Sequence, residues 1–249
     1  MLPPRYLLRE AALFRLLYGD EPGTFVEIGC GGGELLVALA KRGYSGVGTD
    51  ISPNARAQSR KRLAEEHIDA VTISDTVPNG QRFDLVFLLE VLGYAESPAK
   101  LLADCGALLV DGGRLIVSFA RPGSGYKSRV VHDMKFYAKE EVVGFAETAG
   151  LHARRVVNYG FPLANALVPV MNAVHGFRLS RAKHRTSATE SGLHHNDPFL
   201  APLGLISNRK TLLPFAKVQE LFADTDLGNG YLLEAVVGTS RQQNVTPHS

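Results

Sequence analysis

Hydrophobic residues in this chain form short runs, separated by longer segments in which apolar positions recur with a helical period. The runs predict strands at 24–28, 46–50, 69–74, 83–89, 114–119, 153–159 and 230–237. The amphipathic segments predict helices at 5–18, 33–42, 53–66, 97–110 and 211–223. Residues 83–89 are apolar almost throughout, which is typical of a central parallel strand. This alternation predicts a doubly wound, mostly parallel α/β sheet of seven strands.

The turn after the first predicted strand is dense in glycine. Glu27 lies near the end of the strand, Gly29-Cys30-Gly31-Gly32-Gly33 follows, and a helical pattern starts at Glu34. Glycine permits positive φ and lets the backbone approach a ligand without a Cβ in the way. A strand, a glycine turn and a helix in this order predict a nucleotide-type cofactor site at the carboxyl end of a parallel strand.

The spacing of these glycines separates two classes of cofactor. Dinucleotide-binding turns favour G-x-G-x-x-G. Here Gly29, Gly31 and Gly33 alternate, and Glu34 stands where the last glycine of that motif would be. Glu27 would repel a pyrophosphate, but it would suit a cationic amino-acid head group. The turn therefore favours a cofactor with an amino-acid part over a nicotinamide dinucleotide.

A second acid follows the second predicted strand. Asp50 lies about 20 residues after the glycine turn, where a carboxylate can accept hydrogen bonds from both ribose hydroxyls. Asp50 could instead be a turn former or a helix-capping residue, although its distance from the glycine turn favours the ribose role. Dinucleotide sites use the same acid, so Asp50 does not decide between the two cofactors.

Together with the segment between strands four and five, these motifs resemble class I S-adenosylmethionine-dependent methyltransferases of the small-molecule type. That segment contains Glu90-Val91-Leu92-Gly93-Tyr94 and, later, Asp111-Gly112-Gly113. The family usually carries Glu-Val-Leu-Glu-His at the first of these places, so Gly93 and Tyr94 replace its last two residues. The resemblance implies a Rossmann-like fold, S-adenosylmethionine as the methyl donor and S-adenosylhomocysteine as the product.

The resemblance also implies a role for individual residues. Ile51 would contact the adenine ring, and Asp75, followed by Thr76, would accept a hydrogen bond from the adenine amino group. An exposed turn next to Pro78-Asn79-Gly80 is the alternative explanation for Asp75. The complete set of predicted cofactor contacts is Glu27, Gly29, Cys30, Gly31, Gly33, Asp50, Ile51, Asp75, Thr76, Leu89 and Glu90.

The segment after strand five supplies the candidate catalytic residue. Residues from His132 to Tyr137 are predicted to enter a helix that ends at Gly150, and they resemble a Gly-His-x-Arg-Arg-Tyr stretch in a subset of these methyltransferases. His132 is the candidate general base, because histidine titrates near neutrality; a helix-capping role is its alternative. Tyr94, Lys135 and Tyr137 are the candidate acceptor contacts.

The distance between the last two predicted strands indicates an insertion. About 70 residues separate them, far more than a hairpin needs. We expect this insertion to be a substrate lid, with a dimerisation element as its alternative role. The predicted organisation is an N-terminal helical cap (1–22), a cofactor-binding core (23–160 and 225–240), the insertion (161–224) and a disordered tail (241–249).

Composition excludes several other functions. The chain has 249 residues, of which 45% are hydrophobic, and its net charge of +2 gives no reason to expect a nucleic-acid partner. Cys30 and Cys105 lie far apart, and the adjacent His194 and His195 lack a supporting third ligand, so no metal site is predicted. The basic stretch 178–198 is interpreted as a solvated loop.

No apolar run has the length of a membrane span and no signal peptide is evident, so the expected location is the cytoplasm.

The sequence therefore predicts methyl transfer from S-adenosylmethionine to an oxygen or nitrogen atom of a small molecule, such as a natural-product, glycan or lipid intermediate. The Asn/Asp-Pro-Pro-Tyr/Phe motif of DNA amine methylation is absent after strand four, where Leu89-Glu90-Val91-Leu92 stands. Two alternatives stay open, an NAD(P)-dependent oxidoreductase and a non-catalytic subunit that binds S-adenosylmethionine. A homodimer is compatible with each of these functions.

Overall fold

The computed structural model describes residues 4–124, 134–167, 169 and 209–238. Within these residues a seven-stranded sheet has the order β3-β2-β1-β4-β5-β7-β6. Strand β7 is antiparallel to both of its neighbours, and the other pairs are parallel. The predicted class of fold is therefore confirmed. The strands are β1 (Thr24–Ile28), β2 (Ser45–Thr49), β3 (Val71–Ser74), β4 (Phe83–Leu89), β5 (Leu109–Ala120), β6 (Leu151–Tyr159) and β7 (Gly230–Val237).

Six helices connect or cover these strands in the described part of the chain. They are α1 (Pro4–Leu16), α2 (Glu34–Ala40), α3 (Pro53–Glu65), α4 (Pro98–Gly106), α5 (Lys139–Thr148) and α6 (Arg209–Glu220). A single 3-10 turn, Leu92–Tyr94, follows β4, and residues 163–167 are also helical. Proline occupies the first turn of both α3 and α4, where its missing N–H costs no hydrogen bond.

Two apolar clusters lie on opposite faces of the sheet, because successive side chains of a strand point to opposite sides. Val86 and Leu88 of β4 belong to the cluster that contains residues of α4 and α5. Phe87, between them, belongs to the cluster that contains residues of α1, α2 and α3. All three β4 side chains are completely buried. Strand β4 is thus the buried centre of the sheet, as its apolar sequence predicts.

The start of β5 differs from the sequence prediction. Helix α4 ends at Gly106, and the strand begins at Leu109 rather than at Arg114. The predicted turn at 111–113 is an irregularity within the strand, since Leu109 pairs with Phe83 and Arg114 pairs with Leu85. A Cβ on Gly113 would lie 3.0 Å from the Phe83 carbonyl oxygen, so glycine permits this close passage.

Helix α6, at the end of the predicted insertion, packs against the N-terminal helix α1. The Gln219 side-chain amide donates to the Leu8 carbonyl oxygen at 2.9 Å, and its side-chain oxygen accepts from the Gly160 backbone N–H at 3.0 Å. Gln219 is only 3% exposed. This residue therefore ties α1 to the end of β6.

The predicted roles of the insertion, the C-terminal tail and His132 stay predictions. Residues 170–208 of the predicted lid, the predicted tail 241–249 and the candidate base His132 lie outside the described residues. Among the described helices, none combines the length and the apolar character that crossing a bilayer would require.

Candidate functional site

The glycine turn joins β1 to α2 with three left-handed residues. Gly29, Gly31 and Gly33 have φ values of 77°, 53° and 77°. A Cβ on Gly29 would lie 2.5 Å from Cγ2 of Val91, so this position has no space for a side chain. A Cβ on Gly31 would meet no atom within 4 Å. The turn is therefore packed against the protein at Gly29 and open at Gly31.

Glu27 is a buried carboxyl group near this turn. The residue is 3% exposed, and its Oε2 atom has no hydrogen-bond partner. Burial raises the pKa of Glu27 to about 8; the charges of Glu34 and Asp50 add to this rise and that of Arg9 opposes it. A buried carboxyl oxygen without a hydrogen-bond partner is costly. Glu27 therefore offers a buried carboxyl oxygen to a cationic group.

Asp50 connects the end of β2 to the glycine turn. Its Oδ2 accepts a hydrogen bond from the Gly31 N–H at 2.9 Å, and its Oδ1 accepts from the Ser52 N–H at 2.8 Å. The carboxylate is partly exposed and its orientation is fixed by two backbone groups. The next residue, Ile51, is 93% exposed, which is unusual for an isoleucine. An oriented carboxylate and an unpacked apolar side chain thus lie side by side.

Asp75 and Thr76 follow β3 at the same edge of the sheet. Thr49 pairs with Ser74, so the ends of β2 and β3 are adjacent. Both Asp75 and Thr76 are exposed, and the Ser74 hydroxyl accepts from the Thr76 N–H at 3.4 Å. The fold therefore brings the predicted adenine contacts to the edge that carries Asp50.

Glu90, the residue after β4, has a different environment. Tyr159 donates a hydrogen bond to Oε1 of Glu90 at 2.7 Å, and Ser118 donates to the same oxygen at 3.1 Å. An Arg5 guanidinium nitrogen lies 3.0 Å from that oxygen and 3.2 Å from Oε2, and a nitrogen of Arg9 lies 3.5 Å from Oε1. Burial alone would raise the pKa of Glu90, but the two arginines lower it to about 2. Its carboxylate is therefore fully ionised and already paired.

Sequence reasoning missed the arginines and the tyrosine of this network. Arg5 and Arg9 lie four residues apart on α1 and so share one helix face. Arg9 is 5% exposed, which is rare for an arginine without a partner. The four-residue spacing on a helix with an apolar face was the available signal, but it does not reveal which acid the arginines bind.

The candidate acceptor contacts lie in two environments. Tyr94, in the 3-10 turn after β4, is 44% exposed, and Lys135 is also exposed. The Lys135 N–H donates to the Gly93 carbonyl oxygen at 2.9 Å, so these two segments are adjacent. Tyr137 is instead 8% exposed and packs edge-on against Phe145. Tyr94 and Lys135 are accessible to a ligand, whereas the Tyr137 side chain belongs to the core.

Gly93 has a structural reason to be glycine. A Cβ at this position would lie 2.6 Å from the Lys135 carbonyl oxygen and 2.8 Å from Cγ of Met134. Residues 134–138 pass over the turn after β4 in a non-helical conformation. The prediction of a helix beginning at His132 is therefore wrong. Helix α5 begins at Lys139, where the Glu141 carboxylate accepts the Ala138 N–H at 2.7 Å.

The described residues offer little covalent or metal chemistry. They contain no cluster of three or more histidine, cysteine, aspartate or glutamate residues that could hold a metal ion. Burial raises the pKa of the Cys30 thiol to about 12, and Cys30 is only 5% exposed. This thiol is therefore not a nucleophile at neutral pH. The arrangement is suited to binding and orienting a ligand at the edge of the sheet.

Known structures with the same fold include enzymes with different reactions. The structure of the [4+2]-cyclase SpnF has a TM-score of 0.62 at 16% identity, over 93% of this chain and 81% of that one. The glycopeptide N-methyltransferase MtfA, crystallised with S-adenosylmethionine, has a TM-score of 0.56 at 15% identity, over 93% of this chain and 94% of that one. At these identities the likeness establishes the fold alone.

Sequence comparison adds the family. The ubiquinone biosynthesis O-methyltransferase of Serratia proteamaculans is 27% identical over 154 residues, which are 54% of this chain and 64% of that protein. The match thus spans slightly less than two thirds of the relative. A family model described as a methyltransferase domain matches residues 4–155, which include α1, the glycine turn, Asp50 and Glu90. The chain belongs to this family of methyltransferase domains.

Proposed function

We propose that this protein transfers a methyl group from S-adenosylmethionine to an oxygen or nitrogen atom of a small molecule. One observation carries the proposal: the buried Glu27 carboxyl group has an oxygen without a partner, close to a glycine turn that is open at Gly31. S-adenosylmethionine has an α-ammonium group, a cation that can donate a hydrogen bond to this oxygen. The residues present therefore fit this cofactor.

The neighbouring residues provide for the other parts of the cofactor. Asp50 offers an oriented carboxylate to a ribose diol, and the exposed Ile51 side chain offers an apolar surface to a purine. Asp75 and Thr76 lie at the same edge, where the Asp75 carboxylate would accept a hydrogen bond from the adenine amino group. The glycines Gly29, Gly31 and Gly33, with Cys30 between them, supply backbone only, and Leu89 supplies buried support at the end of β4.

The cofactor supplies a methyl group that is already activated by the positive charge of its sulfur. The work of the protein is therefore to align the acceptor and to exclude water. A nucleophilic side chain is not needed, which agrees with the inert Cys30 thiol. His132 is the proposed base for the acceptor proton, on the basis of the sequence.

Tyr94 and Lys135 are the proposed acceptor contacts among the described residues. Both are exposed next to the end of β4, and the hydrogen bond between Lys135 and Gly93 holds them close together. A tyrosine and a lysine on adjacent segments suit an aromatic or anionic acceptor. The Serratia proteamaculans relative is named an O-methyltransferase of ubiquinone biosynthesis, which is compatible with this chemistry.

The function is tested by measuring S-adenosylhomocysteine formation in the presence of single acceptors from a panel of catechols, phenols, hydroxy acids and amines. We expect turnover with at least one of them. Binding of S-adenosylmethionine without turnover on any member would favour the non-catalytic subunit. Hydride transfer with a nicotinamide cofactor would contradict the proposal and favour the oxidoreductase.

Replacing Asp50 with alanine should weaken S-adenosylhomocysteine binding by about 1.5–3 kcal/mol, because the charged hydrogen bonds to two hydroxyls are lost. Isothermal titration calorimetry measures the change. Asp84→Ala is the matched control: the Asp84 carboxylate also accepts two hydrogen bonds, from Thr24, but at the opposite edge of the sheet. Asp84→Ala should lower the stability of the protein and leave its affinity for S-adenosylhomocysteine unchanged. Equal affinities in the two variants would remove Asp50 from the site.

Cofactor binding should release a proton and should strengthen as the pH rises. Burial raises the pKa of Glu27 to about 8, so the carboxyl group is mostly neutral at pH 7. A bound ammonium group favours the ionised form and lowers this pKa. The affinity for S-adenosylhomocysteine should therefore rise on the order of 50-fold between pH 6 and pH 8.

Calorimetry in two buffers of different ionisation enthalpy measures the released proton. Glu27→Gln, which keeps the size of the side chain, should abolish both the proton release and the rise in affinity. A wild-type affinity that stayed constant from pH 6 to pH 8 would show that Glu27 does not bind the ammonium group. The free energy of unfolding of the Gln variant provides the check on folding.

A further inference from the structure

The turn after β2 carries two of the proposed cofactor contacts, Asp50 and Ile51. These residues lie beyond the last paired residue of β2, Thr49. The backbone carbonyl groups of Asp50 and Ile51 both accept hydrogen bonds from one guanidinium nitrogen of Arg56, at 2.7 Å and 3.0 Å. Arg56 therefore supports this short stretch of backbone through its carbonyl groups, while the Asp50 N–H donates to the Ser74 carbonyl oxygen of β3 at 3.4 Å.

Helix α3 holds Arg56 in the correct position. Ser52 caps the helix by accepting from the Ala55 N–H at 3.3 Å, and the Arg56 N–H donates to the Ser52 carbonyl oxygen at 3.1 Å. The Asp50 carboxylate is held separately, by the N–H groups of Gly31 and Ser52. The turn is thus fixed through its side-chain carboxylate on one side and through its carbonyl groups on the other.

Ile51 depends on this backbone contact more than Asp50 does. Its side chain is 93% exposed, so packing does not determine its direction. Its direction is set by the peptide groups on either side, and Arg56 binds the carbonyl group of each of them. Loss of the guanidinium would remove the support of both carbonyl groups, although the Ser52 N–H would still donate to the Asp50 carboxylate. The direction of the Ile51 side chain would then be less firmly fixed.

We infer that Arg56 is a positioning residue for the nucleoside half of the ligand. It holds the Asp50–Ile51 backbone so that the carboxylate faces a ribose diol and the isoleucine faces a purine. This inference rests on the proposed function, because the nucleoside belongs to the proposed cofactor. The glycine and acid motifs of the sequence assign no role to Arg56.

Arg60 provides a matched control on the same helix. It lies one turn further along α3, and its guanidinium donates to the Ile73 carbonyl oxygen at 3.1 Å. Arg60 therefore also joins α3 to a backbone carbonyl group, but to one within β3 and not to the Asp50–Ile51 turn. A general role in holding α3 would affect both arginines in the same way, whereas a positioning role would affect Arg56 alone.

The test compares Arg56→Met, Arg56→Lys and Arg60→Met with the wild type. Each protein is titrated by calorimetry with S-adenosylhomocysteine and with 5′-methylthioadenosine, which keeps the nucleoside and lacks the amino acid. Arg56→Met should weaken the binding of both ligands by about the same factor, on the order of 10-fold. Arg56→Lys should recover most of this loss, because one ammonium group can donate to both carbonyl groups. Arg60→Met should stay within about 2-fold of the wild type.

Three results would overturn the inference while leaving the proposed function intact. Wild-type affinity in Arg56→Met would show that the turn keeps its conformation without the guanidinium. Equal losses in Arg56→Met and Arg60→Met would assign both residues to general support of α3. If Arg56→Met lowered the affinity for S-adenosylhomocysteine but not for 5′-methylthioadenosine, Arg56 would act on the amino-acid half of the ligand. Failure of the wild-type protein to bind either ligand would instead contradict the proposed function, and the inference with it.

Discussion

Replacing Gly31 with valine is expected to reduce S-adenosylhomocysteine affinity at least 100-fold while the protein stays folded. A Cβ at this position would meet no protein atom within 4 Å, so the valine side chain would enter the open space in which we place the ligand. The backbone φ of 53° is also unfavourable for a β-branched residue, at a cost of about 1–2 kcal/mol. Calorimetric titration measures the affinity, and urea denaturation measures the stability.

Gly112→Val is the control for this backbone cost. Gly112 also has a positive φ, 77°, and a Cβ there would likewise meet no atom within 4 Å. It lies near the start of β5, at the sheet edge opposite the glycine turn. The control should lose similar stability and keep its affinity for the ligand. If the Gly31 variant bound as well as this control does, the open space at the glycine turn would have another purpose.

Replacing Glu90 with leucine is expected to lower the free energy of unfolding by about 3–5 kcal/mol, because Arg5 and Arg9 would stay buried after losing the carboxylate that pairs with both. Their side chains are only 14% and 6% exposed. Urea denaturation at pH 7 measures the loss. Asp104→Ala, which breaks the exposed pair with Lys100, should cost less than about 1 kcal/mol. If Glu90→Leu lowered the free energy of unfolding no more than Asp104→Ala does, the pairing of Glu90 with Arg5 and Arg9 would not stabilise the attachment of α1.

The pH dependence of the Glu90 effect has a definite sign. The pKa of Glu90 falls from its ordinary value of 4.5 to about 2 on folding. Its ionisation therefore stabilises the folded protein fully above pH 4.5, and this stabilisation is lost as the pH falls toward 2. The difference in stability between the wild type and Glu90→Leu should consequently narrow below pH 4.5.

The sequence predicted the buried and strongly patterned elements well. The bounds of β1, β4 and β7 agree with the predicted runs, since each run is apolar and bounded by turn residues. The start of β5 was wrong because Asp111-Gly112-Gly113 has the composition of a turn, whereas the strand accommodates it as an irregularity. Composition alone does not distinguish a turn from a bulge, because both use glycine.

Contacts between distant residues limited the prediction of the site. Glu90 was predicted as a cofactor contact from its place in a motif, and the structure shows its carboxylate paired with arginines 85 and 81 positions earlier in the chain. No local spacing encodes such a pair. In contrast, Glu27, Gly31 and Asp50 lie at the ends of neighbouring strands, so the topology of the sheet was sufficient to bring them together. Their roles toward the cofactor stay proposals.

The most direct test of this account is a pair of calorimetric titrations of the wild-type protein, one with S-adenosylhomocysteine and one with NAD⁺. The account predicts one-to-one binding of S-adenosylhomocysteine with release of a proton at pH 7, and no binding of NAD⁺. Binding of NAD⁺ without binding of S-adenosylhomocysteine would contradict it.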